Sequence, residues 1–233
     1  MRRVVAPLAL LLTVALVPSA ALAREANPAE RLAGEPLDPL AYDVAAGCLH
    51  RTQPGTRLLE TWLADTRPRG ASWGTESCRQ IPVGRSRVDA WKACRRAHAK
   101  EEDPEQPVER ACPKPRANWS LHAEGRALDW RLDAAVRVER READRLVALL
   151  LAPDSTGTPH ALARRMGLQE IIWNCRAWFT GREGMGPYSV CFDAEGRARP
   201  GVDRTLAHRD HVHVGLNWSG ARGRTSFWRA ARR

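Results

Sequence analysis

The chain has 233 residues and six cysteines, with 37 basic against 27 acidic side chains for a formal charge of +10. That length is enough for one domain with a sizeable core, and the positive balance favours an anionic partner: cell wall, nucleic acid or an acidic membrane face. None of the cysteines has CxxC spacing, which argues against zinc-ribbon and thioredoxin-like chemistry.

The N-terminus opens with Arg2 and Arg3, runs apolar from Val4 to Val17 and closes on Ala21-Leu22-Ala23, the layout of a secretory signal. The run is too short and too promptly ended for a membrane span. Cleavage after Ala23 and export are expected, with an uncleaved anchor as the alternative. Loss of Arg2 and Arg3 leaves a charge of +8. In an exported chain six cysteines point to disulfides rather than metal thiolates. They allow 15 pairings, and proximity suggests Cys48–Cys78, Cys94–Cys112 and Cys175–Cys191.

Residues 24–45 contain Ala, Pro and Glu without a clear period and read as an N-terminal arm; one domain is expected over 46–233. Pro54-Gly55-Thr56 opens a helix to about Ala64, with Leu58, Leu59, Trp62 and Leu63 on one side. Residues 67–74 read as a loop and 76–81 as a short strand. Residues 84–117 read as an insertion, a solvated excursion dense in charge and proline, clipped at its base by Cys94 and Cys112.

Arg126 to Leu132 alternates in the strand manner, with Ala127, Asp129 and Arg131 on one face and Leu128, Trp130 and Leu132 on the other. Arg137 to Leu151 is the clearest helix. A loop and second helix follow over 154–166, entered at Pro159 and ended by Gly167. Strands are expected over 168–173 and 176–180, around Asn174-Cys175. Residues 181–207 carry five Gly and little apolar pattern, a long loop suited to a lid or a binding wall. His211 to Leu216 returns to alternation, with both imidazoles on one face and both valines on the other.

Two stretches carry chemistry. Ser120-Leu-His122-Ala-Glu-Gly125-Arg-Ala127-Leu-Asp129 sets a His and an Asp seven residues apart, with Gly125 free to turn between them. His208-Arg-Asp210-His211-Val-His213 lies near the other end. Asp129 and His213 can point from strands of one sheet, and His122 can close a third corner. That is the ligand set of a catalytic zinc site, which keeps a position for water. Asp210 and His211 are the candidate bases for the proton of that water. His-x-His on a strand is weak by itself; its pairing with the first stretch gives the signal its strength.

Ser120, His122, Gly125, Ala127 and Asp129 match, position by position, the S-x-H-x-x-G-x-A-x-D motif of D-alanyl-D-alanine carboxypeptidase-type zinc peptidases. These belong to a superfamily with lysostaphin-type and hedgehog-like zinc domains. The ending Asp210-His211-Val212-His213, with Trp218-Ser-Gly-Ala and Thr225-Ser-Phe-Trp228, resembles a secreted actinobacterial branch. The resemblance covers roughly Cys48 to Trp228, with 84–117 outside it.

The resemblance implies His122, Asp129 and His213 as zinc ligands. Asp210 stands where carboxypeptidase-like members carry an acidic base, although many relatives have Glu there. His211 matches the first His of the lysostaphin-like His-x-His. Asp210 is favoured as the base, with His211 orienting it or sharing the role. An upstream Arg that holds the developing oxyanion is implied too, Arg79 first and Arg85 second.

Ser120 and His208 are softer candidates for substrate contact, each with a simple capping or surface role as the alternative. Trp119, Trp130, Trp173 and Trp178 can wall a groove, although Trp130 and Trp173 by default are core.

The expected protein is a disulfide-clipped α+β domain with a small antiparallel sheet backed by helices, hedgehog/D-Ala-D-Ala-peptidase-like. It is a secreted, cell-wall-bound, monomeric enzyme that carries zinc and hydrolyses an amide bond in peptidoglycan stem peptides or cross-links, without nucleic acid or membrane insertion. The rival readings are a catalytically silent, zinc-containing wall-binding domain and a secreted metal-dependent nuclease.

Overall fold

The structure, a computed structural model, describes residues 28–81, 92–93, 95–96 and 118–231. The expected signal segment, Arg85, the Cys94–Cys112 pairing and almost all of the 84–117 excursion lie outside the described residues. No helix among the described residues is long and apolar enough to cross a membrane.

Helix α1 (Pro54–Thr66) starts on a proline, whose missing N–H costs nothing at that position, and buries Leu59 and Leu63 one turn apart. Helix α2 (Arg137–Leu151) has the bounds read from its periodicity and buries Leu146, Val147, Leu149 and Leu150. Helix α3 (Ala161–Met166) ends at Gly167 but begins two residues after Pro159, because His160 sits in the left-handed region. Two short C-terminal helices, α4 (Trp218–Ala221) and α5 (Ser226–Ala230), had no periodic signal to announce them; they are too short for one.

Eight strands form among the described residues: β1 (Ala71–Gly74), β2 (Gln80–Ile81), β3 (Asn118–Trp119), β4 (Ala127–Arg131), β5 (Leu168–Trp173), β6 (Arg176–Phe179), β7 (Gly186–Pro187) and β8 (His211–Leu216). Six make one antiparallel sheet in the order β1-β4-β8-β5-β6-β7, while β2 and β3 pair separately. Strands β5 and β6 are joined through Asn174 and Cys175, both at positive φ, the backbone of a tight hairpin that follows the twist of its strands. Two sequence expectations change here. Residues 71–74 are not loop but an edge strand, and of 76–81 only Gln80–Ile81 is strand. Tertiary pairing with β4 and β3 supplies what four or two residues of local pattern cannot.

Alternation gives the sheet two unlike faces. Leu128, Trp130, Val212, Val214, Ile171 and Trp173 turn towards the helices and join Leu59, Leu63, Leu146, Leu150, Leu162 and Met166 in one core. Asp129, His211 and His213 occupy the opposite face. The N-terminal arm is strapped over the far strands by polar contacts: Asp43 N–H donates to Gln169 Oε1 at 3.0 Å and Trp218 N–H to Asp43 Oδ2 at 2.7 Å. Beneath it the buried Arg126 donates to Glu124, to the Leu216 carbonyl and to the Asp43 carbonyl.

Disulfides Cys48–Cys78 and Cys175–Cys191 are present as expected. The second pins the 181–207 loop to the β5–β6 hairpin. That loop also adds β7 to the sheet and closes on itself through a bridge between Phe192 and Ala198.

Candidate metal centre

Strands β4 and β8 are neighbours, in register with Asp129 opposite His213. Both side chains therefore leave the same face of the sheet from adjacent strands. His122 enters from the short 3-10 turn Leu121–Glu124, which is capped by Ser120: its hydroxyl accepts the His122 N–H at 3.3 Å. Gly125 ends the turn at φ 63, and a Cβ there would lie 1.9 Å from the Arg51 carbonyl oxygen. Only glycine meets both demands, so the Gly of the motif is a steric requirement of bringing His122 back over β4.

The three side chains converge. His122 Nε2 lies 3.0 Å from Asp129 Oδ1 and 3.2 Å from His213 Nδ1, and His213 Nδ1 lies 2.9 Å from Asp129 Oδ1. Bonds of about 2.0–2.1 Å at a tetrahedral centre put donor atoms roughly 3.3 Å apart. The triangle thus has nearly the size a small divalent cation requires, and its donors of two imidazoles and a carboxylate suit one. The two imidazoles are buried and Asp129 is partly so.

A fourth residue completes the arrangement. Glu170 on β5 accepts from His213 Nε2 at 2.9 Å through Oε1, and its Oε2 accepts from the Tyr42 hydroxyl of the arm at 3.0 Å. With Nε2 engaged, His213 can present only Nδ1 to a metal, the usual use of an outer carboxylate. Glu170 was not singled out in the sequence. Its one signal was a lone acid within the otherwise apolar or neutral run of β5, LQEIIW.

Electrostatics follow from these contacts. Burial works against charge on His213, yet hydrogen bonds and attraction from Asp129 and Glu170 outweigh it and push its pKa up to about 9. Burial lowers His122 more than Asp129 raises it, so that ring is held neutral. Burial likewise opposes ionisation of Asp129, but the hydrogen bonds from His122 and His213 win and hold it far below the usual carboxylate range.

Asp210 and His211 form a dyad. Asp210 Oδ1 is 2.8 Å from His211 Nδ1, and Asp210 Oδ2 accepts from Thr205 Oγ1 at 2.7 Å. His211 Nε2 is buried without a hydrogen-bond partner and lies 3.6 Å from Asp129 Oδ1, facing the donor triangle. Burial keeps His211 below its ordinary pKa despite both aspartates.

His208 is not a surface residue. It is buried in the left-handed region, its ring 4.6 Å from that of His211 and 5.4 Å from that of Tyr188, with Nδ1 3.1 Å from the Leu206 carbonyl.

Ser120 is buried, and its hydroxyl serves the cap described above rather than an open surface. Arg79 is exposed, adjacent to the Cys48–Cys78 bridge, with its carbonyl accepting the Ser120 N–H at 3.1 Å.

Of the four tryptophans read as groove candidates, Trp130, Trp173 and Trp178 are core, and only Trp119 is partly open. The open indole beside the site is Trp73, which the sequence reading passed over inside an expected loop. A second donor group, Cys48, His50 and Cys78, is also present. Its sulfurs are joined to each other, leaving a single imidazole.

A family model described as the C-terminal domain of VldE matches residues 87–197. The matched span takes in His122, Asp129 and Glu170, runs through most of the 84–117 segment and stops before Asp210, His211 and His213. No curated protein and no solved structure matches the chain.

Proposed function

We propose that this protein is a secreted zinc peptidase of the D-alanyl-D-alanine carboxypeptidase-type superfamily, with a hedgehog-like variant of the α+β fold, acting on an amide bond of peptidoglycan peptides. The observation that carries the reading is the closed triangle of His122, Asp129 and His213, with the unpartnered His211 Nε2 turned towards it. The motif Ser120 to Asp129 and the ending Asp210 to His213 supply the class of substrate. A charge of +8 after export helps to hold such an enzyme on an anionic wall.

A zinc ion bound to these donors would supply Lewis acidity to the attacking water and to the scissile carbonyl. The chain's own residues divide the remaining work. His211 takes the proton of the attacking water at Nε2, because that atom is buried without a hydrogen-bond partner and faces the triangle. Asp210 is already committed through both oxygens, to His211 Nδ1 and to Thr205. It holds the ring in orientation and steadies the imidazolium that forms. The base role therefore passes from Asp210, favoured on sequence, to His211. His211 then returns the proton to the leaving amine, while Arg79 offers positive charge to the developing oxyanion. Glu170 keeps His213 turned and its Nδ1 available.

The test is digestion of purified sacculi by the zinc-loaded mature protein, with released muropeptides read by mass spectrometry. New peptide ends that vanish in His213→Ala and after chelation are expected, and they name the bond. Intact muropeptides from a protein that still holds one zinc would instead favour a silent wall-binding domain, and cleavage of plasmid DNA would favour a nuclease.

A further inference from the structure

Strand β1 carries an irregularity beside the site. It pairs with β4 through Ala71 opposite Arg131, Ser72 opposite Trp130 and Gly74 opposite Asp129, so Trp73 is the extra residue of a β-bulge. Gly74 takes φ 139 to resume the strand. Bulges re-aim a side chain, and they gather near active sites for that reason. Here the bulge turns the indole onto the donor face, where its ring lies 5.3 Å from that of His211 at 70°.

The burial of the two partners is unequal. His211 is 1% exposed while Trp73 is 50% exposed. Core packing does not account for a tryptophan held half open; the other tryptophans of the sheet, Trp130, Trp173 and Trp178, are all at or below 4%. The bulge therefore keeps an apolar surface in solvent next to the imidazole that faces the donor triangle, on the edge strand of the sheet.

We infer that Trp73 contacts substrate: its open indole face walls a subsite for a small aliphatic side chain adjoining the scissile peptide bond. The inference rests on the peptidase reading and deepens it. An indole beside the general base lies within one residue's reach of the reacting carbonyl. An apolar wall there favours an alanine-sized side chain over a charged one, because a charged group would lose hydration against it without a partner.

The measurement is steady-state cleavage of a soluble alanine-ended stem peptide by the zinc-loaded protein, its Trp73→Ala variant and its Trp73→Phe variant, with zinc affinity and the pH profile of kcat/KM taken for each. Trp73→Ala is expected to raise KM on the order of tenfold, leaving kcat, zinc affinity and pH profile near wild type. Trp73→Phe is expected to recover most of the loss. Peptide-induced emission change present in wild type and absent from Trp73→Phe would report the contact even where Trp73→Ala does not fold.

An unchanged KM in an active Trp73→Ala enzyme would overturn this inference alone. So would a fall in kcat with a displaced pH profile at constant KM, which would mean that the indole only shields His211. A wild type that neither cleaves nor binds the peptide would remove the peptidase reading and this inference with it.

Discussion

Glu170 shows how much of the site depends on a residue that touches no donor triangle atom except through His213. Its carboxylate fixes which nitrogen of His213 faces inward. Replacing it by Gln keeps the shape but weakens the acceptor, and outer-shell changes of this kind commonly cost 10- to 100-fold in metal affinity. Glu170→Gln is therefore expected to loosen zinc by about tenfold or more in a chelator-competition titration, with the fold intact by circular dichroism.

His213 also sets a pH dependence. Its pKa in the metal-free protein is raised from 6.5 to about 9. The charged ring thus adds stability that is fully present below about pH 6.5 and is lost as pH rises through about 9. Zinc must displace that proton from Nδ1. Thermal melts of the metal-free protein are expected to fall across this window, while zinc affinity rises across it and levels off above. The three donors were legible from their types and spacing in sequence. Glu170 and Trp73 were not, because only sheet pairing brings them beside His213 and His211.

At the scale of elements, the helices and the long central strands were readable because their periods repeat. Helix α2 and strand β8 have the bounds their patterns implied. Strands β1 and β3 were not readable, since two to four residues hold no period and their partners β4 and β2 lie far away or across the excursion. The 3-10 turn that carries His122 depends instead on one residue. Gly125→Ala forces a Cβ against the Arg51 carbonyl in a left-handed backbone, two faults that each cost on the order of 1–3 kcal/mol. Urea unfolding is expected to register a loss of about 2 kcal/mol or more, and zinc affinity is expected to fall with it as His122 leaves its corner. Unchanged stability and affinity would mean that the turn relaxes freely and does not hold His122.

At the scale of the whole molecule, one antiparallel sheet divides structure from chemistry. Its inner face takes the core and its outer face the donors, while the arm, disulfides Cys48–Cys78 and Cys175–Cys191 and the 181–207 loop brace the outer side. The arm reaches the candidate metal centre through Tyr42 and Glu170, so seating of the N-terminal segment and binding of metal are expected to support each other. Tyr42→Phe, which deletes that hydrogen bond alone, is expected to lower zinc affinity by a smaller factor than Glu170→Gln in the same titration; an effect larger than that of Glu170→Gln would contradict the order of the relay.

The central claim is that His122, Asp129 and His213 hold a zinc at which His211 directs water onto a peptide bond. Digestion of sacculi in heavy-oxygen water tests it most directly, comparing the zinc-loaded protein with its His211→Ala variant. The account predicts new carboxyl ends carrying one heavy oxygen from wild type, and their near absence from a variant that still binds one zinc. Full turnover by His211→Ala, or no labelled ends from a zinc-replete wild type, would contradict it.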